Sequence, residues 1–326
     1  MALEHGGRVH AAAKRYGIPE NAWLDLSTGI NPDAWPVPAL PVGIWQHLPQ
    51  DDDGLIDAAC NYYGTTHLLP VAGSQAAIGA LPELRKHCTV ALAQTAYAEH
   101  EHAWRQHGHQ VFCVSDEEIL QSTAEVVVIV NPNNPTGRLY SISELLALHE
   151  RLVQCSRLLV VDEAFMDATP EQSLAPFCPR VGLIVLRSLG KFFGLAGARV
   201  GFVLAAENIL QPLAELLGPW PIATPARHVA KLAMADRVWH ENTRKDLRVA
   251  SLRLSGMLTR YGFAPAGGSG LFQWVKCLDA SSVHQTLAKQ GILTRLFDAP
   301  ASLRFGMPSS EDNWARLDVA LSGIKR

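Results

Sequence analysis

The chain has 326 residues, 48% of them apolar, with 31 acidic against 28 basic side chains and a formal charge of −3. That apolar content can fill one large domain and a smaller one. The near-neutral balance, with no long run of one sign, argues against a nucleic-acid or anionic-membrane partner and leaves small-molecule chemistry as the class to look for.

The opening stretch holds Gly6, Gly7, Gly29, Pro32, Pro36, Pro38 and Pro41. It reads as an arm over residues 1–40 laid on another surface. It carries Glu4, Arg8, Lys14 and Arg15 without the apolar core of a signal peptide, and no later apolar run approaches the about 20 residues of a membrane span. A cytoplasmic protein with no membrane or nucleic-acid partner is expected. Cys60, Cys88, Cys113, Cys155, Cys178 and Cys277 form no Cys-x-x-Cys pair, which suits reduced thiols rather than a disulfide or zinc framework.

Short apolar runs follow at 89–93, 111–114, 126–130, 158–161, 183–186 and 200–204, alternating with helical stretches such as 143–154. Runs that are apolar on both alternations predict strands buried on two faces, hence a mainly parallel α/β sheet in a large domain over 41–215. Beyond Ala206 the pattern turns to long helical stretches, 224–261 above all, and then to strand candidates at 271–275, 292–296 and 303–305. This predicts a smaller α+β domain over 216–326.

The segment richest in chemistry is Ser188-Leu-Gly-Lys191, continuing to Arg199 and Gly201, directly after a buried strand. A lysine at a strand end, bracketed by glycines, suits a Schiff base with pyridoxal 5′-phosphate, while Ser188 and Arg199 suit the cofactor phosphate. A surface loop with a solvated lysine is the alternative. Asp162 ends the run 158–161. A carboxylate there could keep a pyridine nitrogen protonated, or simply cap a following helix. Asn131-Pro-Asn-Asn134-Pro-Thr-Gly137 is by itself a strong turn. Together with Asp162 and Lys191, Asn134 can donate to the cofactor's phenolic oxygen. Gly73-Ser74-Gln75 opens a helix whose free N–H groups could meet the same phosphate, or Ser74 could be a plain N-cap. Tyr97 could stack on the pyridine ring or belong to the core. The cluster Glu99-His100-Glu-His102, with His107 and His109, is not taken as a metal site, since nothing elsewhere supports one.

In this order the motifs Gly-Ser-Gln, Tyr97, Asn-Pro-Thr-Gly, Asp162, Ser-x-x-Lys191 and Arg199 resemble the class I/II aminotransferase family, over most of the chain. Within that superfamily His5-Gly-Gly7, Asp25-Leu-Ser-Thr-Gly-Ile-Asn31-Pro32 and Asp-Glu-Ala-Phe165 are most similar to the L-threonine-O-3-phosphate decarboxylases of cobalamin biosynthesis. The resemblance implies a fold-type-I enzyme with pyridoxal 5′-phosphate as cofactor, a small phosphorylated amino-acid substrate and a homodimer. It also implies that Arg304 takes the substrate carboxylate and Arg295 its phosphate, with His5, Gly6, Thr28 and Gly29 of the arm closing on the same phosphate and Asn134 touching substrate as well as cofactor. Three positions depart from the pattern. Phe165 replaces a tyrosine that donates to the phenolic oxygen, Leu48 replaces a tyrosine that reaches across the dimer, and Gly29 replaces an asparagine. Histidinol-phosphate aminotransferase is the nearest alternative, and a binding protein without turnover the more distant one.

Overall fold

The computed structural model describes residues 4–324, which divide into two units. Among the described residues, unit 1 comprises 4–33, 135–138 and 242–324, and unit 2 comprises 34–134 and 139–241. In chain order the elements are α1 (Val9–Tyr16), β1 (Leu24–Asp25), α2 (Leu55–Tyr63), β2 (Leu68–Val71), α3 (Ser74–Ala80), β3 (Thr89–Ala93), α4 (Ala98–Gln106), β4 (Gln110–Val114) and α5 (Asp116–Ile119). There follow β5 (Val126–Val130), α6 (Ile142–Val153), β6 (Leu158–Asp162), β7 (Leu183–Ser188), β8 (Gly201–Ala205), α7 (Glu207–Leu217), α8 (Thr224–Ala235) and α9 (Arg237–Arg260). The chain ends with β9 (Gly267–Ser269), β10 (Phe272–Lys276), α10 (Ala280–Lys289), β11 (Ile292–Leu293), β12 (Arg295–Asp298), β13 (Ala301–Gly306) and α11 (Glu311–Ser322).

Unit 2 is built on a seven-stranded sheet in the order β2-β8-β7-β6-β5-β3-β4. Only β8 runs against the others. Every residue of β5, β6, β7 and β8 is buried, as the continuous Val/Ile/Leu runs predict for strands covered on both faces. At the edge, β4 is mostly open: Val111 is buried while Gln110, Phe112 and Cys113 are exposed. One side of the sheet is packed by Ile78, Leu81, Trp104, Leu210 and Leu213 against Val90, Val128, Val160 and Leu186.

Unit 1 has a four-stranded sheet, β12-β13-β10-β9, antiparallel throughout, and a parallel pair of β1 with β11. Its core joins Leu24, Leu26, Leu258, Phe263, Leu287, Phe305, Trp314 and Leu321.

Three sequence expectations change. The opening forty residues are not simply arm and loop: α1 forms over the Ala11-Ala12-Ala13 run, carries Lys14 and Arg15 in its last turn, and stops at Gly17, whose backbone at φ 70° returns an N–H to Ala13. The helical stretch 224–261 is two helices, because Asp236 leaves the helical region (φ −84°, ψ 76°) and its carboxylate accepts from the Trp239 N–H at 3.0 Å and the Trp35 indole at 3.2 Å. The apolar run 292–296 breaks at buried Thr294 into β11 and β12. Helix α8 counts with unit 2, where buried Arg227 donates to both carboxylate oxygens of Asp53 at 2.7 and 2.9 Å. Although burial opposes ionisation of Asp53, the Arg227 hydrogen bonds and charge hold its carboxyl below the ordinary value.

Candidate active site

In unit 2 the predicted residues gather at the carboxyl edge of the parallel strands, where α/β sheets meet ligands. Asp162 is the last residue of β6, Asn134 follows β5, Tyr97 follows β3, and Lys191 comes three residues after the end of β7. The register pairs Val130 with Asp162, Asp162 with Leu186, and Ser188 with Gly201, so these segments leave the sheet side by side.

Asp162 is 2% exposed. Its Oδ1 accepts from the Ala164 N–H at 3.0 Å, and its Oδ2 lies 2.9 Å from Nε2 of His100, itself 1% exposed. A carboxylate at that distance requires the Nε2–H form of the imidazole. The carboxylate is thus fixed by two donors on a strand end. Motif order alone misses the contact of His100 with Asp162. Its signal lies inside the His-rich stretch, three residues after Tyr97, on the buried face of α4. The neighbours in that stretch have other partners: His107 bonds the Ala103 carbonyl, His109 the Pro82 carbonyl, and Glu99 the Gln75 amide. Among the described residues there is no group of three or more side chains able to hold a metal ion.

Close backbone packing builds a second feature. Gly73, at φ +73°, holds a backbone conformation that side chains rarely adopt, and a Cβ there would lie 2.6 Å from the Arg199 guanidinium and push it aside. A Cβ on Gly201 would lie 2.6 Å from the Ser74 nitrogen. The Arg199 head and the Ser74 N–H therefore converge on a cradle that glycines keep open. Ser74 opens α3, so its N–H has no partner within the helix. Arg199 itself adopts the left-handed region (φ 52°), uncommon for a non-glycine residue, and donates from Nη1 to the Ala196 carbonyl at 3.1 Å. Buried Ser188 accepts from the Gly190 N–H at 3.2 Å. Gln75 is held from two sides: its amide donates to Glu99 at 3.0 Å, and its oxygen accepts from the Tyr97 hydroxyl at 3.2 Å.

Half-buried Lys191 has its Nζ 5.5 Å from the centre of the buried Phe165 ring. Asn134 sits in a turn fixed on both sides, by the Asn131 side chain bonded to the Tyr140 backbone and by the Asn133 amide donating to Thr95 at 2.6 Å. A lysine, a fixed carboxylate and a phosphate cradle of Arg199, Ser188 and the Ser74 N–H fit pyridoxal 5′-phosphate by donor type. The network beneath them is ionic. Arg187 on β7 is 1% exposed and bonds Glu163 and Asp167, and these carboxylates keep its guanidinium charged although burial opposes it.

Unit 1 gathers the remaining predicted residues. Buried Arg304 on β13 donates to the Ser27 carbonyl at 2.8 Å and lies over the Phe272 ring at 5.1 Å. Arg295 on β12 is its cross-strand partner. Two like charges directly opposite destabilise a sheet unless anions meet them. Burial and the charge of Arg8 lower the Arg295 pKa, while its guanidinium donates to the Glu4 carbonyl. His5-Gly-Gly7 lies along Ser27: a Cβ on Gly6 would meet the Ser27 carbonyl oxygen at 2.3 Å, and the Gly7 N–H donates to Ser27 Oγ at 2.7 Å. Thr28 is half-buried and Gly29 buried in the segment that follows.

Residues 46–321 match the family model described as aminotransferase class I and II. The chain is 54% identical to a threonine-phosphate decarboxylase of Pseudomonas aeruginosa, over 99% of this chain and 98% of that one. It is 40% identical to a threonine-phosphate decarboxylase from a Sinorhizobium species, again over 99% and 98%. Among solved structures, the histidinol-phosphate aminotransferase of Sinorhizobium meliloti in complex with pyridoxal 5′-phosphate superposes with a TM-score of 0.86 at 20% identity, covering 98% of this chain and 94% of that one, which is a likeness of fold. On the family match and the near-complete coverage by its relatives, the chain belongs to the class I and II aminotransferase family, of fold type I.

Proposed function

We propose that the chain is a pyridoxal-5′-phosphate-dependent carboxy-lyase that converts L-threonine O-3-phosphate into (R)-1-amino-2-propanol O-2-phosphate and carbon dioxide for cobalamin biosynthesis. The observation that carries this is the 54% identity, end to end, with a relative named threonine-phosphate decarboxylase.

When bound, pyridoxal 5′-phosphate supplies a protonated pyridine that accepts the electron pair released at Cα. Lys191 would hold the cofactor covalently through its side-chain amine. Asp162, oriented by His100 and the Ala164 N–H, would keep the pyridine nitrogen protonated. Arg199, Ser188 and the Ser74 N–H hold the phosphate, with Gln75 bracing the start of α3, and Tyr97 stacks on the ring. Asn134 donates to the phenolic oxygen, where Phe165 offers no hydroxyl. Arg304 would take the substrate carboxylate, and its hold on that group would decide which bond at Cα breaks, so reaction type follows from orientation. Arg295, His5 and Gly6 take the substrate phosphate, with Thr28 and Gly29 lining the same end. The Lys191 amine would be the group that returns a proton to Cα.

The protein acts in the cytoplasm as a homodimer. In support of the dimer, unit 2 exposes Val42, Trp45, Leu48 and Trp220 at 79, 67, 62 and 56%. Among the described residues no helix is long and apolar enough to cross a membrane. The test is the product: L-threonine O-phosphate should give carbon dioxide and the amino alcohol phosphate without any keto acid. Turnover of histidinol phosphate with 2-oxoglutarate, and none of threonine phosphate, would replace this reading with the aminotransferase one.

A further inference from the structure

Unit 1 contains a cavity of about 310 Å³ bounded by the N-terminal segment with α1, by α10, and by β11 with β12. Its charged lining is Arg8, Arg15 and Arg295 against Glu4 and Asp298. Three guanidiniums against two carboxylates leave one positive charge. Two histidines, His5 and His284, line it as well.

His284, on α10, is half-buried, and its Nδ1 lies 2.9 Å from the hydroxyl of buried Thr294. The groups facing it from the surrounding elements are Arg15 of α1, Arg295 of β12 and Glu4 of the N-terminal segment. Burial first, and then the charges of Arg15 and Arg295, push its pKa down, with Glu4 opposing them. An imidazole held neutral by two cations gains a proton readily once an anion neutralises those cations. A phosphate monoester is a dianion at pH 7.5, its second pKa being about 6. Added to a lining of one positive charge, it leaves one negative charge, which a single proton cancels. Of the two histidines, His5 is exposed, and His284 is the one seated against Thr294 between the arginines.

We propose that His284 determines specificity for the phosphate end of the substrate, staying neutral in the ligand-free chain and accepting one proton when a tetrahedral dianion settles beside Arg15 and Arg295. In the protonated ring both nitrogens donate, Nδ1 to Thr294 and Nε2 to the anion. Unphosphorylated threonine brings only a neutral hydroxyl to this end, with no dianion to trigger the change. This deepens the phosphate-ester reading and rests on it for the natural ligand, although its test does not.

The holoenzyme is titrated calorimetrically with sodium sulfate, a dianion that does not itself titrate, at pH 7.5 and low ionic strength in HEPES and in Tris. The dependence of the heat on buffer ionisation enthalpy gives the protons taken up. We expect uptake approaching one proton per sulfate, abolished in His284→Gln, which binds sulfate about tenfold more weakly. Exposed Arg15→Gln, which removes one of the suppressing charges, should raise the pH at which ligand-free His284 takes its proton, followed by NMR of the imidazole. With L-threonine O-phosphate, His284→Gln should raise KM about tenfold and leave kcat within about twofold. Absence of sulfate binding, absence of uptake in the wild type, or uptake that survives His284→Gln would each overturn the proposal. Should sulfate bind with His284-dependent uptake while threonine phosphate stays intact, the decarboxylase reading fails and this assignment stands.

Discussion

Replacing Asp162 by asparagine changes one atom in a fully buried site, where two hydrogen bonds decide the outcome. The carboxylate is 2% exposed and accepts from His100 Nε2 at 2.9 Å and from the Ala164 N–H at 3.0 Å. An amide can keep its oxygen on Ala164 and turn its NH₂ toward His100, provided the imidazole moves its proton from Nε2 to Nδ1. The fold should therefore survive, at a cost of about 1.5–3 kcal/mol for the lost charge-assisted bond. The loss to catalysis is larger. A contact ion pair at about 3 Å is worth about 5 kcal/mol at an effective dielectric constant of 20, whereas a neutral hydrogen bond is worth about 1 kcal/mol. The difference of about 4 kcal/mol corresponds to roughly a thousandfold in turnover. The assay is kcat with L-threonine O-phosphate, alongside cofactor content by absorbance and folding by circular dichroism. A variant with full cofactor content and a kcat within tenfold of wild type would refute the electron-sink role of Asp162.

Three further substitutions separate the parts of the site. Lys191→Ala should abolish the borohydride-trapped cofactor link, and peptide mapping that finds a reduced adduct on another lysine would end that assignment. Phe165→Tyr, at a buried ring 5.5 Å from Lys191 Nζ, should add a donor at the phenolic oxygen and lower the pH midpoint of the cofactor's visible absorbance change. A raised or unchanged midpoint in a spectrophotometric titration would mean that Phe165 faces elsewhere. Arg187→Met should cost about 3–5 kcal/mol in chemical denaturation, because it leaves Glu163 and Asp167 buried without their cation. Burial already raises the Glu163 pKa in the native chain. Without Arg187 it should rise further, and stability present below the unfolded carboxylate pKa is then lost as pH climbs through the raised folded value. The deficit should thus be larger at pH 7.5 than at pH 5.5.

The buried strands were legible because β5 to β8 are apolar on both alternations, a pattern that few other elements produce. The places of Asp162, Asn134 and Lys191 at the ends of strands were legible because each stands at or just after such a run. The His100 contact was not, since it joins residues 62 apart in sequence and a histidine's partner leaves no local signature. Helix α1 was obscured by the glycines and prolines on either side of it, although the alanine run and Gly17 carried the signal. Strands β1 and β11 are two residues each, too short for alternation to register, and they pair across most of the chain. The cation cluster around His284 assembles from α1, α10 and β12, and no motif spans that separation.

The central claim is that the bond broken lies between Cα and the carboxylate, not between Cα and its hydrogen. Substrate deuterated at Cα reports this directly, through mass spectrometry of the product made in ordinary water. Decarboxylation should yield 1-amino-2-propanol O-2-phosphate that keeps the deuterium at C1, together with one equivalent of carbon dioxide. Deuterium lost to solvent, with the carboxyl carbon retained in a 2-oxo acid, would contradict it.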